Sequence, residues 1–122
     1  MKLEEALRDG MSVEGAIGIA LVDLRSGMLL AKQGGHTMFD LDMAGALNTE
    51  VLRAKLRAVE ALQLGDEVED ILVTLGQQFH IIMPLRDADG EELFLYLALD
   101  RGRGNLALAR HQLRRIEQAV RV

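Results

Sequence analysis

Apart from its many carboxylates and cations, the sequence offers few residues of the types that carry chemistry: His36, His80 and His111, Ser12 and Ser26, and no cysteine. The missing cysteines exclude thiolate nucleophiles, disulfides and cysteine-held zinc. Neither serine lies in a Gly-x-Ser-x-Gly turn or beside a histidine, so nucleophilic catalysis has no support. His36, Asp40 and Asp42 are spaced like metal ligands but share a flexible loop with no second histidine nearby, which makes a poor set. Gly102, Gly104 and Ala107 match G-x-G-x-x-A, with a strand before and a helix after. A dinucleotide turn of that kind needs a further parallel strand ending in an acidic residue ~20 positions on, and none follows up to Val122. At most the motif suggests a weak anion site at a helix amino terminus, helped by Arg101 and Arg103. His80 in a strand and His111 in a helix read as packed or solvent-facing. The expectation is a protein with no catalytic, cofactor or metal residues.

Something other than a reaction centre must then organise the chain, and composition narrows what it is. The 122 residues are 49% hydrophobic and 3% aromatic, with no tryptophan. A chain of this length buries about two-thirds of its unfolded surface as one domain, 1–122. The scarcity of rings argues against a stacking platform for single-stranded nucleic acid. Net charge is −5. Residues 101–122 are nonetheless arginine-rich, but the arginines are spread along one helix, which reads as a solvated face and not as a nucleic-acid footprint. The first ten residues are polar and acidic, unlike a signal peptide. The longest apolar runs, 16–22 and 93–99, fall far short of the ~18 residues that span a bilayer. A soluble, cytoplasmic protein without a membrane span is expected.

The stretch 71–100 is the centre of the pattern. Residues 68–75, 78–85 and 91–100 read as three antiparallel strands, joined by Gly76-Gln77 and by a five-residue connection at 86–90. In the last strand Leu93, Leu95, Leu97 and Leu99 share one face, while Phe94, Tyr96 and Ala98 share the other. A strand apolar on both faces must be covered on both, so it belongs near the middle of a sheet flanked by helices. Upstream, residues 2–9 form a short helix ended by Gly10. Residues 15–24 and 28–33 form a hairpin about Arg25-Ser26-Gly27, and the small residues of the first strand leave room for a close-packed helix. Asn105 caps a final helix whose buried stripe is Leu106, Ala109, Leu113, Ile116 and Val120. The acidic segment 66–70 carries the charge that discourages indiscriminate pairing at an edge strand. The order is αββαβββα: an α+β fold with an antiparallel sheet covered on both faces.

The long helix, 41–63, begins after Asp40 as N-cap. Leu41, Ala44, Val51, Val59 and Leu62 form one apolar stripe. Met43, Leu47, Ala54, Ala58 and Ala61 form a second beside it, with Leu52 and Leu56 widening the set. A helix on the surface of a monomer needs a stripe of only ~100°, so the surplus predicts a partner. Glu50, Arg53, Arg57 and Glu60 cluster on the remaining side, spaced to pair along the helix. Asn48 and Thr49 interrupt the apolar middle. They face water, bond their own helix or, for Asn48, bridge a helix pair as a buried asparagine does in coiled coils.

With this order, and with GAIGIALVDLRSGMLLAKQGG at 15–35, NTEVLRAKLRAVEALQLGDEVEDILVTLGQQFHIIMPL at 48–85 and LFLYLALDRGRGNLALARHQL at 93–113, the chain resembles the roadblock family of dynein light-chain roadblock-type domains. Small stand-alone bacterial members resemble it most. The resemblance implies sheet order 2-1-5-4-3, the long helix on one face and the terminal helices on the other. It implies a homodimer in which the third strands pair and the long helices pack, so that Leu47, Asn48, Val51, Ala54, Lys55, Ala58, Glu69 and Ile71 would lie at the interface. It also implies a non-enzymatic regulator or scaffold that binds a Ras-like small GTPase, with Glu50, Arg53, Arg57 and Glu60 on the docking surface. The alternative is a small-ligand sensor or general protein-interaction module on the same sandwich, which the aliphatic core speaks against.

Overall fold

The computed structural model describes residues 2–36, 39–85 and 92–120. Its elements are α1 (Leu3–Met11), β1 (Ala16–Asp23), β2 (Leu29–Gly34), α2 (Leu41–Ala61), β3 (Ile71–Thr74), β4 (Gln78–Pro84), β5 (Leu93–Asp100) and α3 (Leu106–Ala119). The five strands form one sheet in the order β2-β1-β5-β4-β3, antiparallel throughout. The connection expected at 86–90 lies outside the described residues.

β5 runs through the middle, and its two apolar faces become two cores. Leu93, Leu95, Leu97 and Leu99 pack with Ile19, Leu21 and Ile81 beneath Ala6 and Leu7 of α1 and Ala109, Leu113 and Ile116 of α3. Phe94, Tyr96 and Ala98 pack with Ala20, Val22 and Ile82 beneath Leu41 and Leu52 of α2. Each such leucine, fully buried, contributes about 1.5–3 kcal/mol relative to exposure. Seven consecutive buried residues therefore make β5 the strand on which both layers depend. Pro84, expected where a missing donor does least harm, is the last residue of β4, beyond the end of its pairing with β3.

Several boundaries differ from the sequence-based expectation, each for a local reason. Gly10 lies inside α1 and not after it, at a point where α1 sits so close to β1 that a Cβ would stand 2.4 Å from Ile19 Cδ1. The two-residue alternation of β1 breaks at a register shift between Ala16 and Gly18, which sends Ile17 to the α2 side. β3 is four residues long and not eight, since its ladder with β4 runs only from Ile71↔Ile82 to Thr74↔Phe79. Asp70, read as an edge charge, is instead half-buried: its carboxylate accepts from Arg110 at 2.6 and 3.2 Å and lies 3.6 Å from Arg114. It ties α3 to the start of the edge strand.

Candidate interaction surface

α2 decides what the protein presents to others. Asp40 caps it, its carboxylate accepting from the Met43 amide at 3.1 Å. The residues that α2 buries against the sheet are Leu41, Gly45, Thr49 and Leu52, and two of these four are not the large apolar residues that the pattern suggests. Gly45 is there because the helix passes directly over β2 and β1: a Cβ would stand 2.4 Å from Leu29 Cδ1 and 3.3 Å from Val22 Cγ2. Thr49, 1% exposed, donates its hydroxyl to the Gly45 carbonyl at 2.8 Å, so its burial leaves no unpaired polar group. Asn48, half-buried, likewise donates to the Ala44 carbonyl at 2.8 Å. Within one chain both follow the expectation that they bond their own helix.

With Gly45 and Thr49 taking two of the four sheet-facing positions, several large apolar residues of α2 face outward. Met43 is 60% exposed and Leu47 63%, with Val51, Leu56 and Leu62 also exposed. By helical spacing Met43, Leu47, Val51, Ala54, Ala58 and Leu62 form one continuous side of α2. Val51, Ala54, Lys55 and Ala58 form one wall of an open groove of about 710 Å³, and Val68, Glu69, Asp70 and Ile71 form the other, with Arg110 and Arg114 at its end. The groove is bounded by the segment leading into β3 and reaches its first residue, Ile71. Of the expected interface set, Leu47, Val51, Ala54, Lys55 and Glu69 are exposed, and Asn48, Ala58 and Ile71 half-buried.

The two sheet edges differ. On β2, Leu30 is an extra residue at the register shift where Leu29 faces Val22 and Ala31 faces Leu21, and Lys32 pairs with Asp42 of α2. A bulge and a tethered lysine are devices that blunt an edge. β3 has a regular ladder with β4 and no bulge.

The charged side of α2 is not uniform. Arg53 is half-buried and donates through Nη2 to the carbonyls of Leu24 and Arg25, at 2.8 and 2.5 Å, and through Nη1 to Glu50 at 3.2 Å. It fastens α2 to the turn between β1 and β2. That turn also uses Ser26, whose hydroxyl donates to Asp23 at 2.8 Å and, with the Arg25 amide, holds the Asp23 carboxyl below its ordinary pKa. Arg57 and Glu60 are exposed and line a shallow hollow with Leu24, Leu56 and Glu92.

Most of the other chemistry-bearing residues have structural roles. Gly104 packs where a Cβ would stand 2.5 Å from Leu99 Cγ and 2.7 Å from the Asp100 carbonyl, and Asn105 caps α3 by accepting from the Leu108 amide at 3.1 Å. The glycines of G-x-G-x-x-A thus serve a tight strand-to-helix turn. His111 is exposed on α3. His80 is half-buried on the α2 side of the sheet: its Nε2 lies 2.7 Å from Gln78 Oε1 and its Nδ1 3.1 Å from the hydroxyl of buried Tyr96. Its ring meets Phe39 and Tyr96 edge-on, with centroids at 5.8 and 5.4 Å. Burial lowers the His80 pKa and raises that of Tyr96. No local pattern announces this network, because its members come from β4, β5 and the segment before α2. Among the described residues no group of three histidines or carboxylates is placed to hold a metal, and no helix is long and apolar enough to cross a membrane.

No family model matches the sequence, and no curated protein matches it. Solved structures do. A Roadblock/LC7 domain from Streptomyces avermitilis superposes with a TM-score of 0.83 at 14% identity, over 98% of this chain and 95% of that one. MglB of Myxococcus xanthus gives 0.74 at 16%, over 93% and 77%. An MglB in a tetrameric arrangement gives 0.76 at 20%, over 95% and 82%. The strand order, the flanking helices and these superpositions agree: the chain has the roadblock fold.

Proposed function

We propose that this chain is a homodimeric, non-enzymatic regulator or scaffold of the roadblock family, and that it docks a Ras-like small GTPase. The observation that carries the reading is the continuous exposed apolar side of α2 lying beside the groove that leads to the edge strand β3, whose ladder carries no bulge. A second copy related by a twofold axis covers both at once. The two β3 strands extend one sheet into the other, and Leu47, Val51, Ala54 and Ala58 of each α2 meet their counterparts. The groove is self-complementary in charge, with Lys55 on one wall and Glu69 on the other. A stable interface of this kind buries ~1,200–2,000 Å² in total.

The similarity to MglB and to a Roadblock/LC7 domain supports the family, and the family resemblance supplies the GTPase as partner. Pairing along β3 leaves the opposite, charged side of α2 open. Glu50, Arg57 and Glu60 supply the docking contacts there, with Arg53 holding the turn beneath them. Docking, and not an arginine supplied to the nucleotide, is the role assigned to these cations.

Binding of the cognate GTPase, loaded with a non-hydrolysable GTP analogue, tests this by calorimetry. An Arg57→Glu/Glu60→Lys variant of unchanged mass and stability should lose at least tenfold in affinity. Unchanged affinity would contradict the docking surface.

A further inference from the structure

A hollow of about 740 Å³ opens beside the carboxyl-terminal end of α2, lined by apolar Leu56, Val59 and Val68 and by the carboxylates of Glu60, Asp66 and Glu67. No lysine, arginine or histidine lines it. Apolar surface left open in this way gains by being covered. The surrounding carboxylates select what covers it: a surface that presents an apolar side chain together with cations, since like charges facing each other cost affinity and opposite charges steer the encounter. Val68 packs with the core beneath α2, so the hollow belongs to that face of the sheet.

The chain carries a complementary surface on its other face. α3 covers the opposite core with Ala109, Leu113 and Ile116. Its exposed residues, Ala107, Leu108, His111, Arg114, Arg115 and Gln118, fall within an arc of ~120° by helical spacing. No acidic residue lies in that arc, because the one carboxylate of α3, Glu117, is half-buried to its side. Leu108 is 60% exposed. Arg115 donates to the neutral Gln112 side chain at 3.4 Å, which does not offset its charge. Arg114 stands 3.6 Å from Asp70 with half of its side chain still exposed.

We propose that copies of this chain associate head to tail, Leu108 of one copy entering the hollow beside α2 of the next while Arg114 and Arg115 face Glu60, Asp66 and Glu67. The two surfaces are different patches on opposite faces of the sheet. The contact is therefore heterologous, stacking sheet upon sheet without closing on a twofold axis. It is distinct from the proposed homodimer, which joins like surfaces, and does not require it. Glu60 also belongs to the proposed docking surface, so on that reading a stacked copy and a GTPase exclude each other.

Sedimentation velocity from micromolar to near-millimolar chain tests the stack, in a Leu47→Glu/Val51→Glu background that disables the proposed homodimer. The background protein should rise above 13.5 kDa with concentration. Reversing the hollow with Glu60→Lys/Glu67→Lys should weaken association at least tenfold. Reversing the helix face with His111→Glu/Arg115→Glu should do the same; Arg114 is spared because it also faces Asp70. An equimolar mixture of the two reversed proteins brings opposite charges together again and should regain the mass that neither reaches alone. A background protein at 13.5 kDa throughout would overturn the stack, as would unchanged association in either reversed protein or a mixture no heavier than its parts. The homodimer fails separately, when wild type and background have the same mass at every concentration.

Discussion

The guanidinium of Arg53 donates to the carbonyl oxygen of Leu24 at 2.8 Å, tying the middle of α2 to the end of β1. Three acceptors, the carbonyls of Leu24 and Arg25 and the carboxylate of Glu50, occupy this one side chain. Arg57, one turn on and on the same side of the helix, is exposed. The two arginines look alike in the sequence and should behave differently. Arg53→Ala should cost ~1–3 kcal/mol, since it strands backbone acceptors that a charged donor satisfies. Arg57→Ala should stay within about 0.5 kcal/mol. Denaturant midpoints measure both, and equal effects would show that the Arg53 contacts contribute nothing.

A second prediction concerns Asp70, whose side chain is 7% exposed between Arg110 and Arg114. Asp70→Ala should destabilise by ~1–3 kcal/mol, because the carboxylate accepts charge-assisted hydrogen bonds away from water. In a double-mutant cycle Asp70→Ala and Arg110→Ala should be strongly non-additive. Additivity would mean that α3 is held to the edge strand by its apolar stripe alone.

How much of this was legible in the sequence depended on whether the signal was local. The two-faced apolar pattern of 93–99 gave the central strand and its two cores, and Asp40 and Asn105 gave two helix starts through side-chain caps. The pairing of β1 with β5 joins residues some seventy positions apart, which no local period encodes; the order 2-1-5-4-3 came from the family resemblance. On α2 the pattern showed an excess of apolar residues but not which of them face the sheet. Close approach favours a small residue at Gly45, and Thr49 satisfies itself against its own helix, so Met43, Leu47 and Val51 are left to point outward while Leu41 and Leu52 meet the sheet. The partners of Asp70 lie forty and more residues ahead on α3, and the His80 network joins β4, β5 and the segment before α2, so neither follows from a local pattern.

Gly104 tests the close turn between β5 and α3. A Cβ there meets both Leu99 Cγ at 2.5 Å and the backbone carbonyl of Asp100 at 2.7 Å, and the latter cannot swing aside as a side chain can. Gly104→Ala should cost ~1–3 kcal/mol by overpacking. Gly102→Ala, whose nearest neighbour would be Asp100 Oδ1 at 3.4 Å, should cost less. The ranking of the two in thermal unfolding checks the geometry.

The depressed pKa of His80 has a defined sign in stability. Its folded value lies below the unfolded value of ~6.5, so the folded chain binds fewer protons between the two. Its contribution is complete above ~6.5 and is lost as pH falls through the folded pKa. Wild-type protein should therefore lose more unfolding free energy between pH 7 and pH 5 than His80→Phe does. Parallel pH profiles for the two would show that His80 does not titrate differently on folding.

The proposed homodimer joins two copies through the outward apolar side of α2 and the edge of β3. Light scattering across a dilution series measures this most directly, with a Leu47→Glu/Val51→Glu variant alongside. Both positions are exposed, so the variant keeps its own fold while placing charge in the interface. The wild type should show a mass of at least twice 13.5 kDa and the variant a lower one. A wild-type protein that runs at 13.5 kDa throughout, or a variant whose mass is unchanged, would contradict it.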